Sequence, residues 1–444
     1  MSKQTSNMKA ILEEQIQKIS QTPWLFAKNP KKDFKRTRKL PFSQMILTLL
    51  CMEGGSISCE LMKQFGHIPD VPSSSAFVQQ RGKILPEAFE TLFGLFVNAT
   101  HSNLLCNGYR LLAIDGTDIR IPTNPQDSDS FYPGTNGQRP YNLIHLNAIY
   151  DLLQHTYVDA VIQKSRNWNE HRALNAMVDR GVWDVPTIFL ADRGYESYNV
   201  MAHIQEKGQF FLIRVKDPTR GKSIASALSL PSLEEFDIPI TLSLSRKISS
   251  QTKSLFQDKN HFRYVPSSST FDFLPKTHKS DTFTRFYSLH FRIARFKISD
   301  SSYETVLTNL PLDSFPAYRL KSLYALRWGI ETAFRDLKHT LGLLYFHAKK
   351  VEYIYQEIFA RLIMYNFSEL ITCSVVIRKK NRKYAYKANF SAAVHICRQF
   401  FLGNVSPPDV EALIARFISP IRPGRSAPRF LFAKTSVSFA YRLP

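Results

Sequence analysis

The sequence at residues 186–196 is PTIFLADRGYE, an apolar run that ends at a carboxylate, Asp192, with a turn predicted at Gly194. An apolar run of this length bounded by turn residues is typical of a buried β-strand. Residues 110–116, RLLAIDG, have the same design and end at Asp115. A single Asp-Gly pair more often marks a turn or a helix cap, so neither segment alone predicts chemistry. The two segments together favour a ligand-binding site, because proteins with parallel-type sheets bind ligands at the carboxyl ends of their strands.

A third segment, YALRWGIETAFRDLK at residues 324–338, is predicted to be one helix. Its polar residues Tyr324, Arg327, Glu331 and Lys338 lie at offsets of three, seven and fourteen. At about 100° per residue these offsets keep the four side chains within roughly 60° of arc, on one stripe of the helix. The carboxylate can hold a metal and the other three groups can hold phosphates. A surface helix with i,i+4 salt bridges is the alternative. The predicted buried face comprises Leu323, Leu326, Ile330, Phe334, Leu337 and Leu341.

Three carboxylates, Asp115, Asp192 and Glu331, therefore form a candidate metal site. Three acidic oxygen ligands suit Mg²⁺ or Mn²⁺ rather than zinc. Asp118 is the nearest alternative to Asp115 as a metal ligand. On a continued strand, however, Asp118 would point to the opposite face of the sheet, so the two residues cannot both belong to one site.

The blocks AIDGT, FLADRGYE and Y-x2-R-x3-E-x6-K resemble the three signature segments of bacterial insertion-sequence transposases of the DDE type, in the insertion-sequence-four family. The resemblance extends to VLTNLP (306–311) and FKRTRKLPFSQMI (34–46), and covers about residues 30–375. The third block is the most specific, because four residue types recur in it at fixed spacing. The resemblance implies an α/β fold, an RNase H-like catalytic core interrupted by a β-rich insertion, with a helical N-terminal domain.

The same resemblance implies an enzyme that cuts DNA at the ends of its insertion sequence and transfers the 3′-hydroxyl ends into target DNA. Asp115, Asp192 and Glu331 would be the catalytic residues and hold two Mg²⁺ ions, with Mn²⁺ possible, about 3.5–4 Å apart. Tyr324, Arg327 and Lys338 would be the DNA-binding residues, gripping backbone phosphates near the scissile end. The implied partners are transposon-end DNA and target DNA. Because joining two transposon ends calls for at least a dimer, we expect a homodimer assembled on DNA.

Two other functions remain open at this point. One is an endonuclease of the RNase H fold that cuts without joining strands, although hydrolysis alone does not need the Tyr-Arg-Lys phosphate contacts. The other is a non-catalytic DNA-binding descendant of a transposase, which would be marked by loss of a triad carboxylate. No triad carboxylate is lost in this sequence.

Composition favours a polyanionic partner. The 444 residues carry a formal charge of +21 and a pI of about 9.7, which fits nucleic acid, with a ribosomal or membrane-surface protein as the alternative. A hydrophobic content of 44% with 33 Phe predicts a packed globular chain rather than a disordered basic tail.

Five cysteines without a CxxC pair predict a reducing cytosol and no structural zinc. Because no signal core or membrane span is evident, we expect a soluble protein of the bacterial cytoplasm.

The chain divides into five predicted regions. They are residues 1–100, a helical DNA-end-binding domain; 101–215, the first part of the core; 216–311, the β-rich insertion subdomain; 312–377, the second part of the core with the catalytic helix; and 378–444, a basic C-terminal region. Phosphate contact in the first region is assigned to a basic cluster, with a solvated charged face as the alternative: Lys31, Lys32, Lys35, Arg36, Arg38 and Lys39.

Hydrophobic periodicity predicts the elements around these motifs. A strand hairpin is expected at 142–153 and 157–163, a helix at 169–182, and further strands at 210–216, 240–248, 283–298 and 303–310. A short amphipathic helix is expected near Phe390–Phe401, ending at Gly403. His145, His155 and His171 lack ligand spacing and are predicted to be structural. Glu170 is polar and has no predicted role.

Overall fold

The computed structural model describes residues 2–36, 39–134, 137, 139–218, 223–276, 283–300, 302–377 and 384–421. Its helices are α1 (Ser2–Gln21), α2 (Phe42–Cys51), α3 (Ile57–Phe65), α4 (Ser74–Arg81), α5 (Glu87–Ala99), α6 (Glu170–Arg180), α7 (Tyr198–Glu206), α8 (Ala317–Ala325), α9 (Trp328–His339), α10 (Val351–Ser374), α11 (Phe390–Phe401) and α12 (Pro407–Arg416). Its strands are β1 (Arg110–Ile121), β2 (Phe131–Tyr132), β3 (Tyr141–Asp151), β4 (Thr156–Lys164), β5 (Thr187–Ala191), β6 (Phe210–Val215), β7 (Phe236–Ser245), β8 (Phe262–Tyr264), β9 (Tyr287–Ser299), β10 (Ser302–Thr308), β11 (Ala385–Ala388) and β12 (Ile418–Ile421).

A ten-stranded mixed sheet organises the described residues, so the predicted α/β class is confirmed. The strand order is β2-β3-β1-β5-β6-β10-β9-β7-β8, and β4 pairs with β3. β1 runs parallel to β5 and antiparallel to β3, and β5 runs parallel to β6. The predicted hairpin and the helix that follows it are present as β3, β4 and α6.

The first strand is longer than predicted. β1 does not stop at Asp115 but continues to Ile121. Its parallel pairing with β5 reaches only Ala113, whereas its antiparallel pairing with β3 extends from Leu112 to Ile121. The backbone beyond Asp115 therefore remains hydrogen-bonded on one side, which keeps it extended.

The strands predicted for the β-rich insertion extend this same sheet and do not form a separate one. β10 pairs antiparallel with β6, and β9 pairs antiparallel with both β10 and β7. The segment from β7 to β10 therefore continues the sheet that holds β1 and β5.

The helices on one face of the sheet join the N-terminal region to the rest of the chain. The predicted helices in the first hundred residues are present as α1 to α5, and their apolar side chains share one core with α10. Arg81 at the end of α4 is buried and donates to Gln356 (2.8 Å) and Glu357 (3.0 Å) of α10. None of the described helices is long and apolar enough to cross a membrane.

The amphipathic helix predicted near residues 390–401 is present as α11. α11 buries Val394, Cys397 and Phe401, and Gly403 directly after its cap has φ +84°, a conformation that glycine adopts without the Cβ penalty of other residues. The basic residues 378–383, Arg38 of the N-terminal basic cluster, and the chain beyond residue 421 lie outside the described residues.

Candidate active site

Parallel pairing of β1 and β5 brings the two predicted aspartates together. Ala113 is opposite Leu190 in this pairing, and two further residues along each strand lead to Asp115 and Asp192. Neighbouring strands are about 4.8 Å apart, so the two carboxylates occupy one edge of the sheet. Asp192 is fixed by a turn, since its Oδ1 accepts a hydrogen bond from the Gly194 N–H at 2.8 Å.

The segment at 324–338 is two helices, so the prediction of one continuous helix is wrong. α8 ends at Ala325 and α9 begins at Trp328. Between them the Arg327 N–H donates to the Tyr324 carbonyl at 3.0 Å, three residues back. Such bonding winds the chain at three residues per turn instead of 3.6, which rotates the residues before the break relative to those after it. Leu326, predicted to be buried, is 46% exposed.

Four of the six predicted site residues line one open pocket of about 460 Å³. The pocket is formed by Asp115, Gly116, Thr117, Asp192, Glu331, Phe334, Arg335, Lys338 and His339. Glu331 lies in the first turn of α9 and Lys338 in its last turn. The three carboxylates thus reach the same pocket from β1, from the end of β5 and from α9.

Arg327 bridges two of the three carboxylates from behind the pocket. Its Nη2 donates to Glu331 Oε1 at 2.5 Å, and its Nη1 is 3.6 Å from Asp115 Oδ2. The Arg327 side chain is 6% exposed, and its guanidinium lies 5.4 Å from the centre of the Trp328 ring, which is itself largely exposed. In this arrangement Arg327 supplies the counter-charge of the acidic site.

Tyr324 lies next to Arg327 and is buried. Within the described part of the chain, neither the Tyr324 hydroxyl nor the Arg327 Nε has a hydrogen-bond partner. Burial raises the pKa of the Tyr324 hydroxyl to about 12, so it is a donor at neutral pH. Two donors without partners beside a carboxylate cluster are costly unless the site takes up a further acceptor.

The electrostatics of the pocket disfavour the ionised form of Asp115. Burial raises the pKa of Asp115 to about 6, and the carboxylates of Asp192 and Glu331 act in the same direction. The Arg327 guanidinium and the Gly116 N–H oppose that rise. A pocket lined by three acidic side chains suits a hard divalent cation, which would relieve the repulsion between them.

The carboxylates do not form a closed coordination shell. Among the described residues, there is no group of three His, Cys, Asp or Glu side chains that lie close enough together to hold a metal ion as they stand. The donor set fits a divalent cation in its chemistry, and the Arg327 side chain is in contact with two of its three members.

Behind the pocket lies a polar chain to which the sequence assigned no chemistry. His145 is buried, as predicted for a structural histidine; its Nδ1 is 2.8 Å from Asp118 Oδ1 and its Nε2 is 3.2 Å from Glu170 Oε1. Burial lowers the pKa of His145, but the hydrogen bonds to Asp118 and Glu170 outweigh that effect and raise it to about 9. Asp118 is engaged here and does not line the pocket. The sequence signal for Glu170 was weak, an Asn-Glu pair at the start of a helix.

Comparison with known proteins gives a family for this geometry. No curated protein matches the sequence. A cryo-EM structure of the piggyBac transposase synaptic complex with hairpin DNA is similar at a TM-score of 0.39 and 10% identity, over 86% of this chain and 76% of that chain. The model of the transposase DDE domain family matches residues 107–367, which include all three carboxylates. That match spans more than half of the chain, which therefore belongs to the transposase DDE domain family.

Proposed function

We propose that this transposase is of the insertion-sequence-four type, with the Tyr-Arg-Glu-Lys signature, and that it cuts DNA at the ends of its element and transfers the 3′-hydroxyl ends into target DNA. The observation that carries the proposal is the convergence of Asp115, Asp192 and Glu331 on one pocket. The complete signature block at residues 324–338 supports it further.

The catalytic core is proposed to be RNase H-like. The strand order β4-β3-β1-β5-β6, with β3 antiparallel and β5 parallel to β1, supports this proposal. We place the core in residues 101–215 and 312–377, with 216–311 as the insertion that widens the sheet. Residues 1–100 would bind the DNA end, since Lys31, Lys32, Lys35 and Arg36 are exposed, and the basic region 378–444 remains without an assigned role.

Asp115, Asp192 and Glu331 would hold divalent metal ions, Mg²⁺ or Mn²⁺, by their carboxylate oxygens. When bound, such ions lower the pKa of a nucleophilic water or 3′-hydroxyl and stabilise the leaving oxygen at phosphorus. The residues themselves orient the reacting groups. No covalent bond between protein and DNA is required.

Arg327 is proposed to have two partners in turn. In the free protein it neutralises Asp115 and Glu331, as its contacts indicate. In the DNA complex it would contact a backbone phosphate together with Tyr324, whose hydroxyl and the Arg327 Nε are donors without partners among the described residues. Lys338 would contact a second phosphate from the opposite end of α9. Trp328, exposed beside Arg327, would stack near the DNA terminus.

The partners are proposed to be transposon-end DNA and target DNA. A formal charge of +21 supports a polyanionic substrate. Joining two ends requires two active sites, so we propose a homodimer assembled on DNA in the bacterial cytoplasm.

The test uses labelled DNA that carries the element ends, with Mg²⁺, and compares the wild type with Asp192→Ala. Metal-dependent cleavage at the end that is lost in the variant, followed by joined products, supports the proposal. Cleavage without joining when a 3′-hydroxyl end is supplied would indicate a nuclease. Tight end binding without cleavage by either protein would indicate a DNA-binding descendant. In both of these cases the proposed function is wrong.

A further inference from the structure

The polar chain behind the pocket begins at a well-fixed residue. Glu170 is the first residue of α6, and the Asn169 side chain caps that helix by accepting from the Arg172 N–H at 2.9 Å. The Asn169 N–H donates to Gln163 of β4 at 3.0 Å, which ties the helix start to the sheet. The position of the Glu170 carboxylate is therefore set by the cap and by the sheet.

His145 holds the Glu170 carboxylate from the sheet side. Both ring nitrogens of His145 have carboxylate partners, Asp118 at 2.8 Å and Glu170 at 3.2 Å. The Trp168 ring lies against the imidazole with 4.3 Å between ring centres. The two hydrogen bonds and the contact with Trp168 fix the orientation of the His145 imidazole. The hydrogen bond from this fixed ring in turn orients the Glu170 carboxylate.

The carboxylate of Glu170 packs beside two glycines and occupies space that one of them, Gly116, leaves open. A Cβ placed on Gly116 would lie 2.8 Å from Glu170 Oε1 and 2.3 Å from His145 Nε2. A Cβ placed on Gly194 would lie 3.4 Å from Glu170 Oε2. Gly116 directly follows Asp115, and Gly194 follows Asp192 by two residues. One side chain thus packs against both backbone segments that carry the aspartates.

The same helix start makes a second contact with the Asp192 turn. His171 Nε2 lies 2.7 Å from the Gly194 carbonyl oxygen. The first turn of α6 consequently holds the Asp192 segment at two points, through Glu170 and through His171. Beyond Ala113, β1 and β5 are no longer paired, so the ladder between these strands ends two residues before their aspartates.

We propose that Glu170, oriented by His145, is a positioning residue that fixes Asp115 and Asp192 relative to each other. Glu170 lies behind Gly116, does not line the pocket, and acts through the two glycine backbones. The inference rests on the proposed function, in which these aspartates hold the metal ions. It also accounts for the glycine after Asp115, because a larger residue at position 116 would displace the carboxylate.

The experiment measures Mn²⁺ affinity of the metal-free protein by electron paramagnetic resonance, beside kcat for end cleavage and Kd for end DNA. Glu170→Ala is expected to weaken Mn²⁺ binding and to lower kcat by about 10- to 100-fold, the range for groups that orient ligands. End-DNA Kd should stay within about twofold, since no DNA contact is removed. Glu170→Gln keeps an oxygen for His145 and is expected to recover most of both losses.

Two further variants keep the result interpretable. His145→Phe retains a ring against Trp168 but removes the bond to Glu170, and should show the same losses as Glu170→Ala. Asp409→Ala is the matched control, because Asp409 is an exposed carboxylate in the first turn of α12, in a region without an assigned role; it should leave metal affinity and kcat unchanged. Circular dichroism confirms that each variant is folded.

The inference would be overturned if folded Glu170→Ala bound Mn²⁺ as tightly as the wild type and had the same kcat. So would Glu170→Gln being as defective as Glu170→Ala, because charge rather than position would then be the property that matters. If the wild type fails to cleave DNA with any divalent metal, the proposed function is wrong, while the Mn²⁺ affinities still decide the role of Glu170.

Discussion

Replacing Asp115 by Asn should make the metal-free protein more stable at neutral pH. The pKa of Asp115 is raised from 3.8 to about 6, first by burial and then by the neighbouring Asp192 and Glu331 carboxylates. A rise of this size corresponds to about 3 kcal/mol against the ionised form, since one pKa unit is about 1.4 kcal/mol. The Asp115 side chain is 22% exposed and loses its ion pair with Arg327 on substitution, so we expect a gain of about 1–3 kcal/mol.

The sign of the pH dependence follows from the direction of the pKa shift. A carboxyl whose pKa is higher in the folded state than in the unfolded chain binds its proton more tightly when folded. Its contribution to the free energy of unfolding is therefore present near pH 4 and lost as the pH rises through about 6. Asp115→Asn removes this loss, so the stability difference between variant and wild type should grow from near zero at pH 4 to its full value at pH 7.

Urea denaturation followed by tryptophan fluorescence, in EDTA and between pH 4 and 8, measures this difference. The same variant should be inactive, since the stabilised site no longer offers its carboxylate to a metal ion. A variant less stable than the wild type at pH 7 would refute the reasoning. A stability difference that does not change between pH 4 and pH 7 would also refute it, because it would show that Asp115 does not titrate in this range.

Three other predictions follow from the site. Mg²⁺ at ten times its Kd should raise the free energy of unfolding of the wild type by about 1.4 kcal/mol, as measured by urea denaturation, and should leave Asp192→Ala unchanged. Lys338→Ala should weaken end-DNA binding or reduce strand transfer in a gel assay, because the residue lines the carboxylate pocket. Gly116→Ala should lower stability by about 1–3 kcal/mol in thermal denaturation, since its Cβ would lie 2.3 Å from His145 Nε2, whereas Gly94→Ala, with nothing within 4 Å of its Cβ, should not destabilise.

Each of these predictions has an outcome that would contradict it. Equal stabilisation of both proteins by Mg²⁺ would place the ion elsewhere. Normal strand transfer by Lys338→Ala would remove the phosphate-contact assignment. An unchanged melting temperature for Gly116→Ala would mean that the polar chain behind the pocket is not packed as described.

Local sequence pattern was sufficient for the elements that carry the carboxylates. The apolar runs before Asp115 and Asp192 form strands, and Glu331 and Lys338 lie on one helix. These predictions succeed because burial imposes a period on apolar residues that is visible within about ten positions of the chain. The closeness of Asp115 and Asp192 followed from the general behaviour of parallel strands.

The break before α9 could not be read from local pattern. Arg327 and Leu326 have ordinary helical propensities, and the offsets of the polar residues suit an unbroken helix. The break places Arg327 between Asp115 and Glu331, and Asp115 lies more than two hundred residues earlier in the chain. Electrostatic pairing at that sequence distance leaves no trace in a local periodicity.

The sequence by itself therefore determined that the runs before Asp115 and Asp192 are strands, that Glu331 and Lys338 share a helix, and which family of transposases these segments resemble. Only the tertiary structure decided that β1 continues beyond Asp115, that the strands from β7 to β10 extend one sheet, and that Glu170 and His145 stand behind the two glycines. The physical reason is that each of these features depends on a hydrogen-bond or packing partner distant in sequence. Such partners exist only once the chain has folded.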